Sequence, residues 1–356
     1  MLQADQIQLD RIRHYVRALP KAELHVHLEG TVQPATLLDL AAQHGVELPV
    51  STIEEVTDWY TFRDFNHFIA IFRAISQCLR TPADFTRITY EYGRSMAKNN
   101  IRYAEVTWTP YSHVGDPTKN LTFADLLNAI NAGRDQAKQE WGVDMRWIPD
   151  IMRGQPETAP TLVKWLTSSA AQAGGVVALG LGGPEIGFPP ELFAEAFSVA
   201  KAKGLPGNPH AGETVGPASV WGSLRALNAV RIGHGVRAVE DPALVDYLVE
   251  HQIPLEVNPT SNLCLNVYSS YAEHSLRQLI EAGAMVTINS DDPALFNTTL
   301  NDEYIHAVLD CGLTLDQLEQ TGLNAVRASY LPPDDKATLL ASFEANYARL
   351  RAKFEL

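Results

Sequence analysis

The chain has 356 residues, 46% hydrophobic and 20% charged, a length that fits one large α/β barrel or two average domains, and no linker-like stretch divides it. Its formal charge of −14 repels phosphate backbones, which argues against nucleic acid as a partner. The opening stretch MLQADQIQLDRIRHYVRALPK reads as an amphipathic helix with charges throughout, so neither a signal peptide nor a membrane span is expected, and a cytoplasmic location follows.

Strand-like runs then recur between helical stretches: AELHVHLE (22–29), IRYAEVTWTP (101–110), MRWIPDIM (145–152), VVALGLGG (176–183), LPGNPHAGE (205–213), RIGHGV (231–236), PLEVNPTSN (254–262) and AMVTINSDD (284–292). Between them, segments such as PPELFAEAFSVAKAKG and DPALVDYLVEHQ carry apolar residues at helical spacing and start at Pro or Asp. Eight alternations of strand and helix predict an α/β fold, a (β/α)8 TIM barrel, as a single domain over 1–356. Cys78, Cys264 and Cys311 lie far apart with no CxxC, which speaks against a disulfide framework or a thiolate metal site and for three buried thiols.

The stretch from about 31 to 98 is too long for one crossover helix and predicts a helical insertion after the first strand. Phe65, Phe68 and Phe72 fall at i, i+3 and i+7 on one face. They either pack onto the barrel or belong to a lid in which Phe62, Phe65 or Phe68 meets a flat apolar substrate.

Four of the eight runs end in polar clusters. His25 and His27, two residues apart on an apolar strand, point the same way. His210 with Glu213 ends the fifth run, His234 lies on the sixth, and Asp291 with Asp292 ends the eighth. Active sites of such barrels form where the C-terminal strand ends meet, so the four clusters are expected to converge. His25, His27, His210 and Asp291 make a nitrogen-rich, thiolate-free set suited to Zn²⁺, with Fe²⁺, Mn²⁺ or Co²⁺ as other occupants.

LPKAELHVHLEGT (19–31), GLGGPE (180–185), PHAGET (209–214), RIGHGV (231–236), NPTSNL (258–263) and INSDDPALF (288–296), in this order, resemble the adenosine deaminase family of the amidohydrolase superfamily. The match runs through nearly the whole chain. HxH and the last-strand Asp are common to most of that superfamily, whereas HAGE, GHG and the doubled Asp belong to the deaminase branch. The resemblance implies one Zn²⁺ per chain on His25, His27, His210 and Asp291, with a coordination position left for water. It implies that Glu213 protonates N1 of a purine while C6 is attacked, that His234 orients the attacking water, and that Asp291 accepts its proton as well as touching the metal. It further implies that Asp292 bonds N7 and that the Gly183 N–H serves N3, where glycine permits close approach. Ser261 and Asn262 fit either support of the site or the polarity of a surface loop.

Two positions depart from the family pattern. Glu29 stands where adenosine deaminases place an Asp that contacts the ribose 5′-hydroxyl, and Pro184 stands where Asp is frequent, giving GGPE. The expected reaction is hydrolytic deamination of a 6-aminopurine nucleoside, adenosine-like, with Glu29 near the sugar. The alternatives are the free base adenine or a modified adenosine such as an aminofutalosine-type compound. A non-catalytic binding protein is disfavoured because every site residue is present. An amide-cleaving relative with two metals is disfavoured because VVALGLGG holds no Lys to bridge them. The expected partner is a small-molecule aminopurine, and a homo-oligomer stays open.

Overall fold

The computed structural model describes residues 2–62 and 65–356, without the side chains of residues 2–6, 65 and 66. Eight parallel strands form one sheet in sequence order: β1 (Lys21–His27), β2 (Ile101–Trp108), β3 (Asp144–Met152), β4 (Leu179–Gly182), β5 (Gly207–Ala211), β6 (Ile232–His234), β7 (Leu255–Val257) and β8 (Val286–Ile288). All seven residues of β1 are buried, as a parallel strand covered on both faces requires. The sheet curls into a nearly closed barrel, a (β/α)8 TIM fold. The first and last strands meet past the end of β8, where the His27 N–H donates to the Asp291 carbonyl (2.8 Å) and the Asp291 N–H donates to the His25 carbonyl (3.1 Å).

All eight expected strands are present, and their ends differ from expectation for local reasons. The seventh run stops at Val257 because Pro259 opens a short helix, Pro259–Cys264, where its fixed φ and missing N–H suit the first turn. Leu28 turns the chain out of β1 into a single 3-10 turn, Glu29–Thr31. Cys78 and Cys311 are buried free thiols, whereas Cys264 at the end of that short helix is only partly buried.

The helix before the barrel is α1 (Leu2–Ala18), and residues 31–98 hold α2 (Pro34–His44), α3 (Ile53–Trp59), α4 (Phe65–Cys78) and α5 (Pro82–Lys98). α5 lies on the outside of the barrel along α6 (Phe123–Trp141), with the Thr86 hydroxyl donating to the Ala129 carbonyl at 3.0 Å. α4 approaches the turn Glu29–Thr31 instead, and Phe68 stacks on Phe296 with ring centres 5.9 Å apart. Among the described residues no helix is long and apolar enough to cross a membrane.

A buried ion cluster ties the strands together inside the barrel. The Arg231 guanidinium, 1% exposed, pairs with Glu105 of β2 at 2.6 Å and with Glu256 of β7, and lies 4.3 Å over the Tyr330 ring. Losing the cation would strand two buried carboxylates. Arg231→Met is therefore expected to cost about 3–5 kcal/mol of stability. Urea unfolding checks this as a lower midpoint at unchanged slope, and a midpoint equal to that of the parent would contradict it.

Candidate active site

β1 delivers two imidazoles to the mouth of the barrel because residues two apart share a face. His25 Nδ1 lies 2.8 Å from Glu256 Oε2, which makes Nδ1 the donor and leaves Nε2 buried with its lone pair unused. His25 Nε2 and His27 Nε2 each stand 3.3 Å from Asp291 Oδ1, and His27 Nε2 stands 3.1 Å from His210 Nε2. In a tetrahedral zinc site with bonds of about 2.0–2.2 Å, neighbouring ligand atoms lie about 3.3 Å apart. The spacing of these four groups and the orphaned Nε2 of His25 fit a metal ion between them.

His234 also comes close, its ligand atom lying within 4.8 Å of those of His25, His210 and Asp291. Its surroundings suit another task. Asn258 and Asn262 direct amide nitrogens at Nδ1 (3.3 and 3.2 Å), so Nδ1 accepts and the ring proton sits on Nε2. That N–H faces Glu213 Oε1 at 3.7 Å and Asp291 Oδ2 at 3.8 Å, too far for a direct hydrogen bond to either, so all three groups border the same space at the mouth. Burial pushes the His234 pKa down to about 4, which keeps the ring neutral.

Glu213 is 9% exposed, and burial, then the nearby charges of Asp291 and Glu185, raise its carboxyl well above the usual range. It follows the end of β5, where the chain wraps round a single carboxylate. Glu185 accepts from the N–H groups of Gly212 (2.8 Å), Glu213 (3.1 Å), Thr214 (2.6 Å) and Val215 (2.8 Å), and from the Ser219 hydroxyl (2.6 Å). With the Thr214 hydroxyl (3.2 Å), six donors on one carboxylate fix the loop that carries Glu213.

His234 and Asp291 share a backbone anomaly, φ values of 62° and 63°, left-handed for residues other than glycine. Such conformations cost on the order of 1–3 kcal/mol each and gather at functional sites. Here the left-handed residue aims a side chain into the mouth, His234 as the last residue of β6 and Asp291 just past β8. Asp291 is held by the Ser261 hydroxyl, 2.7 Å from Oδ2. Ser261 and Asn262 are both buried, so they support the site and do not belong to a surface loop.

A cavity opens at this mouth. Its polar floor is His27, His210, Glu213, His234, Asp291 and Asp292, and α4 contributes Phe68, Ile69 and Phe72 as an apolar wall. Asp292 is buried with Oδ1 unpartnered, and burial pushes its carboxyl up to about 8. Gly183, at φ 90°, lies on the wall. Phe62 packs edge-on against Phe68 and Phe296, at 5.4 and 5.3 Å, and the Phe65 side chain falls outside the described residues.

Glu29 does not line this cavity. It is fully buried, its Oε1 accepting from the Thr109 N–H (3.1 Å) and paired with His113 Nε2 (3.1 Å), while Oε2 has no partner. His113 Nδ1 in turn meets Lys119 Nζ at 3.0 Å, and Lys119 donates to the Ser76 carbonyl of α4 at 2.5 Å. Thr109, which does line the cavity, stands next to Glu29.

Several residues of the site escaped the sequence reading: Asp150 on the cavity wall, Glu185, Glu256 behind His25, and Asn258 behind His234. Glu185, inside the motif GLGGPE, and Asn258, first residue of NPTSNL, carried some signal, whereas Asp150 and Glu256 carried none.

The family model described as adenosine deaminase matches residues 20–345. An aminodeoxyfutalosine deaminase of Streptomyces avermitilis is 41% identical over 336 residues, 94% of this chain and 92% of that protein. An adenine deaminase of Hahella chejuensis is 33% identical over 333 residues, 94% of this chain and 98% of that protein. Among solved structures, an amidohydrolase from Burkholderia ambifaria with bound Zn is similar at TM-score 0.89 and 30% identity, covering 97% of this chain and 95% of that one. The matched segment starts one residue before β1 and takes in every strand that feeds the cavity, so the site lies wholly within it: the chain belongs to the adenosine deaminase family of the metal-dependent amidohydrolases.

Proposed function

We propose that the protein is a zinc-dependent hydrolase that deaminates a 6-aminopurine nucleoside, adenosine-like or of the aminodeoxyfutalosine type, to the 6-oxopurine and ammonia. One observation carries this reading: three imidazole nitrogens and a carboxylate meet beside a buried Glu213 whose carboxyl burial keeps protonated. His25, His27, His210 and Asp291 would hold one Zn²⁺ per chain. Bound there, zinc supplies Lewis-acid activation that makes water reactive at neutral pH.

The side chains have separable tasks in this reading. Glu213 delivers its proton to ring N1 as C6 is attacked, so electron density gathers on a neutral nitrogen. His234 presents Nε2–H from between Glu213 and Asp291 and orients the attacking water. Asp291 Oδ2, beside the Ser261 hydroxyl, takes the water proton. Asp292, kept protonated by burial, donates to N7, and the Gly183 N–H donates to N3. α2, α3 and α4 act as a lid that excludes water, with Phe68 against the ring face.

A substituted purine is favoured by the 41% identical relative named for aminodeoxyfutalosine, and Phe68, Ile69, Phe72 and Leu265 give the cavity an apolar wall against which a substituent can pack. The free base is the second reading. It draws support from Glu29, which sits behind Thr109 and off the cavity wall, and from the relative named adenine deaminase. Turnover of adenosine, deoxyadenosine, adenine and adenosine-derived thioethers or aminodeoxyfutalosine, followed by absorbance, tests the reading. The expected outcome is highest kcat/KM on a nucleoside-type compound, and preference for adenine over every nucleoside would overturn that choice.

Two further outcomes follow from the geometry. Protein purified without chelator should carry one equivalent of transition metal by elemental analysis, and His210→Ala should lose most of it. Two equivalents per chain would refute the single site. Glu213→Gln should keep the metal but lower kcat by at least about a hundredfold, since general acid catalysis contributes about 10²- to 10⁴-fold. A near-parent rate with Gln at 213 would remove Glu213 from its role.

A further inference from the structure

The wall of the cavity on the β3 side holds a carboxylate that the roles above leave unused. Asp150 and Met152, two apart on β3, both face the cavity. Asp150 is 3% exposed. The Thr109 side chain lies beside its carboxyl, burial pushes that carboxyl up to about 7, and Oδ1 is buried with no partner. Arg153, three residues further on, spends its guanidinium on the carbonyls of Phe188 (2.5 Å) and His210 (2.6 Å) and so does not neutralise it. Opposite, on β4, a Cβ at Gly182 would fall 2.3 Å from Asp150 Oδ2, so the glycine there makes the room this carboxyl occupies. A buried carboxylate oxygen without a donor is costly, and a donor brought by a ligand recovers that cost.

The order of strands around the barrel says which part of a purine arrives there. On the reading above, Glu213 after β5 meets N1, Gly183 after β4 meets N3, and Asp292 after β8 meets N7. Around the ring, the nitrogen between N3 and N7 on the far side from C6 is N9. Around the barrel, the strand next to β4 on the way to β8 is β3. Asp150 on β3 therefore stands at the N9 edge. Glu29 cannot take that place, since Thr109 and His113 hold it behind the wall.

We infer that Asp150 is a specificity-determining residue at the N9 edge of the bound purine, accepting a hydrogen bond from a donor there, either the N9–H of a free base or a hydroxyl of an N9 sugar. The inference rests on the deaminase reading for the placing of the ring. It makes an N9-alkylated purine, which lacks any donor at that edge, a poor ligand. It also explains why an acidic group deep in the barrel is tolerated beside metal-binding residues.

The test compares parent, Asp150→Ala and the near-isosteric Asp150→Asn on adenine, adenosine and 9-methyladenine. In the parent, kcat/KM for at least one donor-bearing substrate should exceed that for 9-methyladenine by about tenfold or more, the size of one hydrogen bond. Asp150→Ala should shrink that ratio about ten- to a hundredfold, chiefly through KM, and Asp150→Asn, which keeps one acceptor, by an intermediate amount. A ratio that shrinks for adenine alone assigns the partner as N9–H, and one that shrinks for adenosine alone assigns it as a sugar hydroxyl. Should Ala at 150 fail to fold, a parent-like ratio in the Asn variant overturns the inference, as does an equal loss on all three substrates in either variant. Binding of hypoxanthine, inosine and 9-methylhypoxanthine, measured by calorimetry on metal-loaded protein, separates the two readings. If the parent turns over none of the substrates but binds these purines, the deaminase reading falls while Asp150 is still tested by the same ratio. If it binds none of them, both fall.

Discussion

Asp291 is where the barrel closes and where the site assembles, and those are one constraint. Its backbone N–H and carbonyl bond to β1 on either side of Val26, so its position is set relative to His25 and His27 by main-chain geometry alone. Its carboxylate then faces both imidazoles from 3.3 Å. Desolvation works against a charge there, but the imidazoles of His25, His27 and His234 that face it outweigh that cost and hold the carboxyl well below the usual range. Displacing this residue would loosen the seam of the barrel and the metal-binding cluster at once.

Behind these groups lies a layer of buried charge that orients them. Glu256 receives His25 Nδ1 on one side and pairs with Arg231 on the other, so the ion cluster inside the barrel also fixes the tautomer at its mouth. Glu185 acts similarly on the loop after β5 by gathering its N–H groups. The deaminase chemistry proposed here thus draws on residues that never touch substrate. Rigidity under the site and the apolar α4 above it are separate parts of the same cavity.

The fold and the meeting of histidines with Asp291 at the barrel mouth were legible in the sequence because both follow from short periodicities: eight apolar runs, a two-residue repeat in HVH, and polar residues at run ends. The neutral His234 was legible as a residue but not as a tautomer, since that depends on amides of Asn258 and Asn262 brought in after β7. Asp150 and Glu256 were illegible because each reads as an isolated acid in an apolar run, and only the closing of the sheet shows what each one faces. Glu29 illustrates the converse. Its place in the motif is plain, yet the turn after Leu28 swings it toward His113, away from the cavity. α5 reads like its neighbours in the long insertion, and it takes the partnership with α6 to put it on the barrel's flank.

The left-handed backbone at His234 and Asp291 sets folding and activity against each other at two identifiable positions. Glycine adopts such a φ without the clash that a Cβ brings, so at these places the residue that best suits the chain is not the one that suits the chemistry. A library of variants selected for thermal resistance alone would tend to discard both side chains, and one selected for turnover would restore them together with their strain. The mouth of the barrel is therefore a poor place to look for stabilising substitutions and a sensitive place to read what selection has acted on.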